Sequence, residues 1–268
     1  MILIKTLKLF GLKTHMSINK LKQEYRDEIA RQFLDCVQRT VERVTGEDGT
    51  NRPFHSALLS EEALFWSRFE RSFSTSFGQT VIERISAIAA LSNGASFAGT
   101  QTETAVFLYQ STLQSIDNHI SNLRGKNHRG SWNNDLYEIN SVPYGGLVIE
   151  GRIISDLSWV KDGVVNYMSI KTVKPNIDQT AEAKRDLLKL KVANPDSNVY
   201  FGLYYNPYGE PQSTYKWAPP QKIFNFLTDP CVLIGRNYWD TLGGVGFYDE
   251  ILSIVESVGH ETRGLISF

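Results

Sequence analysis

Cysteine is almost absent from this sequence. Cys36 and Cys231 stand far apart, with no CxxC and no Cys/His partner spacing, which excludes a disulfide framework and a structural zinc site. They read as reduced packing residues, which suits the cytoplasm. The five histidines, His15, His55, His119, His128 and His260, have no ligand spacing either. An excess of charge of one sign is also lacking: 28 Lys+Arg face 29 Asp+Glu, a net charge of −1. A histone-like basic protein is thereby excluded, and any nucleic-acid binding must come from a local basic surface. No apolar run is long enough to cross a membrane. The amino-terminal MILIKTLKLFGLKTH is interrupted by Lys5, Lys8 and Lys13, and no small-residue cleavage site follows it. There is no P-loop, GxGxxG, GxSxG or HExxH motif, no internal repeat, no heptad pattern and no low-complexity segment.

What is present is a globular composition, 41% hydrophobic and 12% aromatic. Met16 begins what looks like a natural amino terminus, so residues 1–16 read as an upstream extension, 17–125 as a helical region and 126–268 as the functional core with a carboxy-terminal helix. These last two are expected to form one continuous domain. Apolar residues at helical spacing (Leu21, Tyr25, Ile29, Phe33, Val37, Val41, Val44) predict a helix over 17–44. A second is expected over 61–69. The polar stretch RSFSTSFGQ then leads to a third, entered at Phe77-Gly78, with Glu83 near its start, where an acid suits the helix dipole. A fourth stripe, Val106, Tyr109, Leu113, Ile116 and Ile120, predicts a helix over 102–123. It runs into NLRGKNHRGSW, a basic loop whose Arg124, Lys126 and Arg129 suit phosphate oxygens or entry into a groove, and which reads equally well as a solvated loop. Residues 135–150 read as extended.

The chain's chemistry centres on residues 153–173. A β-branched run over 153–160, the turn signal Lys161-Asp162-Gly163 and a second run over 164–173 read as a β-hairpin. Asp156 lies in its first strand and Lys171 near the end of its second, with Tyr167, Ser169 and Lys171 on one face. A carboxylate that holds a hard cation beside a lysine that stabilises an attacking hydroxide suits metal-assisted phosphodiester hydrolysis. The same pattern also suits a surface hairpin with an ordinary ion pair. Beyond it, Lys174-Pro175-Asn176 stops the strand, and Asp178 reads as the cap of a helix to about residue 192. The cations Lys184, Arg185, Lys189 and Lys191 of that helix read as a solvated face. An aromatic strand over 198–209, beside the second hairpin strand, short strands at 215–217 and 231–234, and a terminal helix complete the chain.

The strand with Asp156, the strand ending Ser169-Ile170-Lys171, and the helix and strand after them resemble the core of the PD-(D/E)xK nucleases. Three blocks in order, RSFSTSFGQ with its helix, IKTVKPNIDQ, and IGRNYWDTLGG with its helix, are similar to the TdeIII group of type II restriction endonucleases. The resemblance implies an α/β, restriction-endonuclease-like fold, a mixed central sheet flanked by helices with a helical amino-terminal part. It implies a Mg²⁺-dependent homodimer that cuts double-stranded DNA at a short palindrome of the GGNCC kind. A cognate DNA methyltransferase is implied genetically rather than physically, and no membrane association. By the motif Asp156 holds the metal and Lys171 is the catalytic lysine. Ser169 departs from it, standing where an acid is expected. The replacement acid is then Glu182, one turn into the next helix and the preferred candidate, or Glu83. Lys174, Asn176 and Gln179, just past the catalytic strand, are further candidates for contact with DNA. Ser169 also keeps open a DNA-binding protein of the same fold that has lost catalysis.

Overall fold

The computed structural model describes residues 21–46, 52–125 and 129–265, so the extension at 1–16 and the DNA candidate Lys126 lie outside the described residues. The first apolar stripe forms α1 (Gln23–Gly46), which buries Ile29, Phe33, Cys36, Thr40 and Val44. After α2 (Pro53–Leu58), the helix expected to stop at 69 continues as α3 (Glu61–Ser76). It passes through a π-turn at Phe77–Val81 into α4 (Ile82–Ser92) without a break. RSFSTSFGQ is therefore helical and not a connecting segment. Phenylalanines four residues apart explain this, because Phe69, Phe73 and Phe77 stack in series with centroids 6.2 and 5.1 Å apart.

Residues 102–123 are not one helix. β1 (Phe97–Tyr109) occupies the first part and α5 (Gln110–Arg124) the second. Thr102, Thr104, Val106 and Leu108 alternate with Glu103, Ala105 and Phe107, a period of two that favours a strand. Val106 and Tyr109 joined the helical stripe only because no glycine or proline marks the boundary. The expected extended segment at 135–150 likewise begins as α6 (Trp132–Asn140), whose buried Trp132, Asp135 and Ile139 share one helical face. Its signal is short and is followed by turn-forming residues.

β2 (Val148–Lys161) and β3 (Val164–Lys171) form the expected hairpin. Asp162 and Gly163 both have positive φ, 52° and 79°, as a two-residue turn of the I′ type demands. α7 (Ile177–Ala193) then crosses over to β4 (Asn198–Leu203), and β5 (Val232–Ile234), α8 (Arg236–Gly243) and α9 (Phe247–Thr262) follow. The cap of α7 is Asn176 rather than Asp178: Asn176 and Gln179 exchange the two hydrogen bonds of a capping box. No strand forms at 215–217, where the Tyr215 hydroxyl instead donates to the Val173 carbonyl.

The five strands lie in sequence order, β1 to β3 antiparallel and β3 to β5 parallel, giving the expected mixed sheet with helices on both faces. One core joins Ile116, Ile120, Leu187 and Phe201, and a second joins Ile29, Ile85, Met168 and Tyr238. Gly202 of β4 is required by this packing, since a Cβ there would lie 2.6 Å from the Tyr238 ring and 2.8 Å from Met168 Sδ. Both cysteines are buried and unpaired. Among the described residues no helix is long and apolar enough to cross a membrane.

Candidate active site

The site forms where β2 leaves β3. Their ladder is paired from Lys161↔Val164 to Leu157↔Met168 and goes no further, whereas β1 follows β2 along its length. At the point of separation the Asp156 carboxylate replaces the missing strand partner. Its Oδ2 accepts the Ile170 backbone N–H at 2.7 Å, Lys171 Nζ at 3.0 Å and Ser169 Oγ at 3.3 Å. A buried peptide N–H is thus satisfied by a side chain, which fixes the carboxylate at the carboxyl end of β3. Lys171 and Asp156 are a quarter and a fifth exposed, so the ion pair faces an opening rather than the core.

A second irregularity lies across β1. Gln101 falls where the β1–β2 pairing lapses, between Thr100↔Leu157 and Thr102↔Ser155, and has φ 50°, rare for a residue with a side chain. Ala98, Leu157 and Trp159 pack into the α4 side of the sheet, whereas Val106, Leu108 and Ile153 pack into the α7 side, although residues of each strand share parity. The ribbon of β1 and β2 therefore reverses its faces across the Gln101–Asp156 position. Gln101 itself stays exposed, and its amide spans the two acids on either side. Its Nε2 donates to both Glu83 oxygens at 3.0 Å and lies 3.4 Å from Asp156 Oδ1.

Glu83 is delivered by α4, whose buried stripe includes Ile82, Ser86, Ala89 and Ala90. It is only 8% exposed, and no cation pairs with it among the described residues. Burial pushes its carboxyl above the usual range and the charge of Asp156 adds to this, against the Gln101 hydrogen bond and Lys171. Behind it, the fully buried Tyr238 hydroxyl meets Ser86 Oγ at 2.6 Å and fixes this part of the helix.

The structure thus brings Asp156, Lys171, Ser169 and Glu83 together. Glu182 is exposed on α7, with no hydrogen bond or ion pair to Asp156 or Lys171. Asp186, one turn further along, feels the charge of Lys171, and burial pushes its carboxyl up. Of the residues considered for DNA contact, Arg124 is ion-paired with Asp178, and Arg129 is exposed. Lys174 lies over the rings of Tyr208 and Trp217 at 5.7 and 5.8 Å, and Asn176 and Gln179 cap α7. Gln101 was missed because its role needs the β1 strand, which helical spacing concealed.

The chain matches, over residues 18–259, the family model described as "Type II restriction endonuclease, HinfI". It is similar to the type II restriction enzyme HgiEI of Herpetosiphon aurantiacus, 31% identical over 242 residues, covering 88% of this chain and 86% of that one. It is also similar to HgiBI of the same organism, 29% identical over 257 residues, covering 90% and 92%. No solved structure matches it.

Proposed function

The chain belongs to the HinfI family of type II restriction endonucleases, and we propose on that premise that Asp156, Lys171 and Glu83 form the centre with which it cuts double-stranded DNA. The observation that carries this is the 3.0 Å approach of Lys171 to Asp156 where β2 leaves β3, with a buried acid joined to Asp156 through one amide. The arrangement supports membership of the PD-(D/E)xK superfamily. The narrower tie to the TdeIII group rests on the three sequence blocks.

The donor set fits Mg²⁺. A buried carboxylate and a partly exposed one converge on a single neutral N–H₂ group, which sits between them as a cation would. Among the described residues no three acidic, histidine or cysteine side chains cluster. Two carboxylates suffice for Mg²⁺, which keeps several waters and takes phosphate oxygens as ligands. When bound, the ion supplies a Lewis acid and lowers the pKa of a water. Asp156 and Glu83 would hold it. Glu83, on this reading, takes the place of the acid missing at Ser169, in preference to the exposed Glu182. Ser169 orients Asp156 through its hydroxyl. Lys171 stabilises the charge that grows on the phosphate and orients the incoming water.

The site recognised is a short palindrome of the GGNCC kind, cut by a homodimer whose two-fold axis matches the DNA. The enzyme acts in the cytoplasm beside a methyltransferase that protects the host's own sites. Incubation of a plasmid with the protein and Mg²⁺ is expected to give discrete fragments. A gel shift without cutting under every divalent ion would instead mark a binding protein that has lost catalysis.

Glu83→Gln tests the assignment of the second acid. Because burial raises the Glu83 carboxyl, this group favours the folded state at low pH, and its contribution is lost as pH rises through the folded value. The glutamine variant is expected to melt higher at neutral pH, by about 1 kcal/mol, yet to lose cutting, as when an active-site strain is relieved. Glu182→Gln should cut normally. Loss of cutting in Glu182→Gln with retention in Glu83→Gln would reverse the assignment.

A further inference from the structure

A second site of strong charge lies away from the carboxylates, between the end of α1 and α3. Arg43, Arg52, Arg68 and Arg71, with Ser72 and Thr75, line a pocket of about 270 Å³, and among the described residues no acid lines it. Four guanidinium groups around one cavity repel each other, and Arg68 and Arg71 do so at three residues' spacing on one helix. Several arginines elsewhere are neutralised: Arg26 meets Glu250, Arg152 meets Glu103, Arg185 meets Asp117, and Arg236 meets both Asp249 and Glu210. In the pocket Arg43 donates to the hydroxyls of Ser72 and Ser76 at 2.8 and 3.1 Å. Glu70, which lies between Arg68 and Arg71 in sequence, accepts from Ser74 instead. Among the described residues, buried Arg68 Nε meets no hydrogen-bond partner. A buried cationic donor left unpaired is costly, and the cost is removed by an anion that enters the pocket.

We propose that this pocket seats a phosphate of the DNA backbone, away from the phosphate that is cut. Planar guanidinium forks suit two phosphate oxygens at once, and serine and threonine hydroxyls complete such a seat. The position supports DNA rather than a free anion. Arg68 and Glu83 lie on one uninterrupted helical path, 61–92. Fifteen residues at about 1.5 Å each separate them by about 22 Å, or roughly six to seven base pairs of duplex at 3.4 Å. A net charge of −1 leaves the protein no general attraction for DNA, so a concentrated pocket of this kind has to supply part of it. The inference rests on the nuclease reading above.

The test is Arg43→Gln with Arg71→Gln, both exposed and so compatible with folding, checked by thermal melting. DNA binding is measured by fluorescence anisotropy with Ca²⁺ over a range of KCl concentrations. For a long duplex the variant should bind at least about tenfold more weakly, and the slope of log K against log salt should shrink by about 1, the value for one phosphate. For a duplex that ends about three base pairs from the cut site, variant and wild type should match. An unchanged slope on the long duplex, with wild type binding and cutting normally, overturns the pocket and leaves the nuclease intact. Wild type that shows no salt-dependent binding overturns both. Calorimetric titration with inorganic phosphate separates the remaining sources: heat lost in the variant while the DNA slope stays the same makes this a free-anion site. A change of sedimentation coefficient with the same slope makes it a protein interface. Either result overturns the proposal.

Discussion

Asp156→Asn is expected to abolish plasmid cutting, with a fall in rate of about 10³-fold or more, the scale set by removing one preorganised electrostatic group from such a site. Asparagine keeps the shape of the side chain and can still accept the Ile170 N–H and the Ser169 hydroxyl. What it loses is the charge that holds Lys171 at 3.0 Å and that would hold a divalent ion together with Glu83. Lys171→Ala should lose cutting to the same degree while DNA binding in Ca²⁺ is kept, because the amine acts on the phosphate that reacts rather than on the duplex as a whole. Lys171→Arg should not rescue it, since a planar fork cannot occupy the place of a compact ammonium group against a single carboxylate oxygen. Neither change should cost much stability, because both side chains are partly exposed at the opening. Discrete fragments at the wild-type rate from either variant, in protein that melts normally, would remove these residues from the centre and return the hairpin to an ordinary ion pair.

The hairpin was legible because its turn chemistry and β-branched runs are local, and the Asp156–Lys171 approach follows once strand and turn are known. The crossover from β3 through α7 to β4 was legible for the same reason, with Pro175 marking the end of one element, although the cap of the next lies at Asn176, two residues before the expected Asp178. The sequence spacing did not reveal β1, because a strand that runs directly into a helix at Tyr109 and Gln110 offers two periodicities at once, and the longer one dominates. That single error concealed Gln101 and with it the link between Glu83 and Asp156. A signal for Glu83 was present: it lies three residues before Ser86 and seven before Ala90, in the buried stripe of α4. Its position near a helix start suited the helix dipole as well as a metal, which left it ranked behind Glu182.

Lys184 makes the same point with a larger energy, and Lys184→Met is expected to destabilise the fold by about 3–5 kcal/mol, the usual cost of breaking a buried ion pair. The run of cations on α7 reads as solvated, yet Lys184 is 0% exposed, and it lies in the helical stripe with Ala181 and Leu188. Its Nζ is ion-paired with Asp135 of α6, donates to the Ile223 carbonyl at 2.5 Å and sits 4.7 Å from the centre of the Phe224 ring. Gly130 makes room for this, since a Cβ there would overlap the same carbonyl at 1.8 Å. His119 Nε2 is 2.9 Å from the other Asp135 oxygen. Methionine fills the volume but leaves the Asp135 carboxylate buried with only its neutral-group hydrogen bonds and His119. At about 2–4 °C per kcal/mol for a large domain, the melting temperature should fall by about 10 °C. Burial raises the Asp135 carboxyl, but His119 and Lys184 together outweigh it and hold the group below the usual range. Its stabilisation is therefore present above the unfolded value and lost as pH falls through the folded one. Asp135→Asn should accordingly flatten the acid limb of the stability curve, and adding it to Lys184→Met should cost less than the sum of the two by at least about 1 kcal/mol. Additive losses, with an acid limb unchanged in Asp135→Asn, would show that the pair is not coupled.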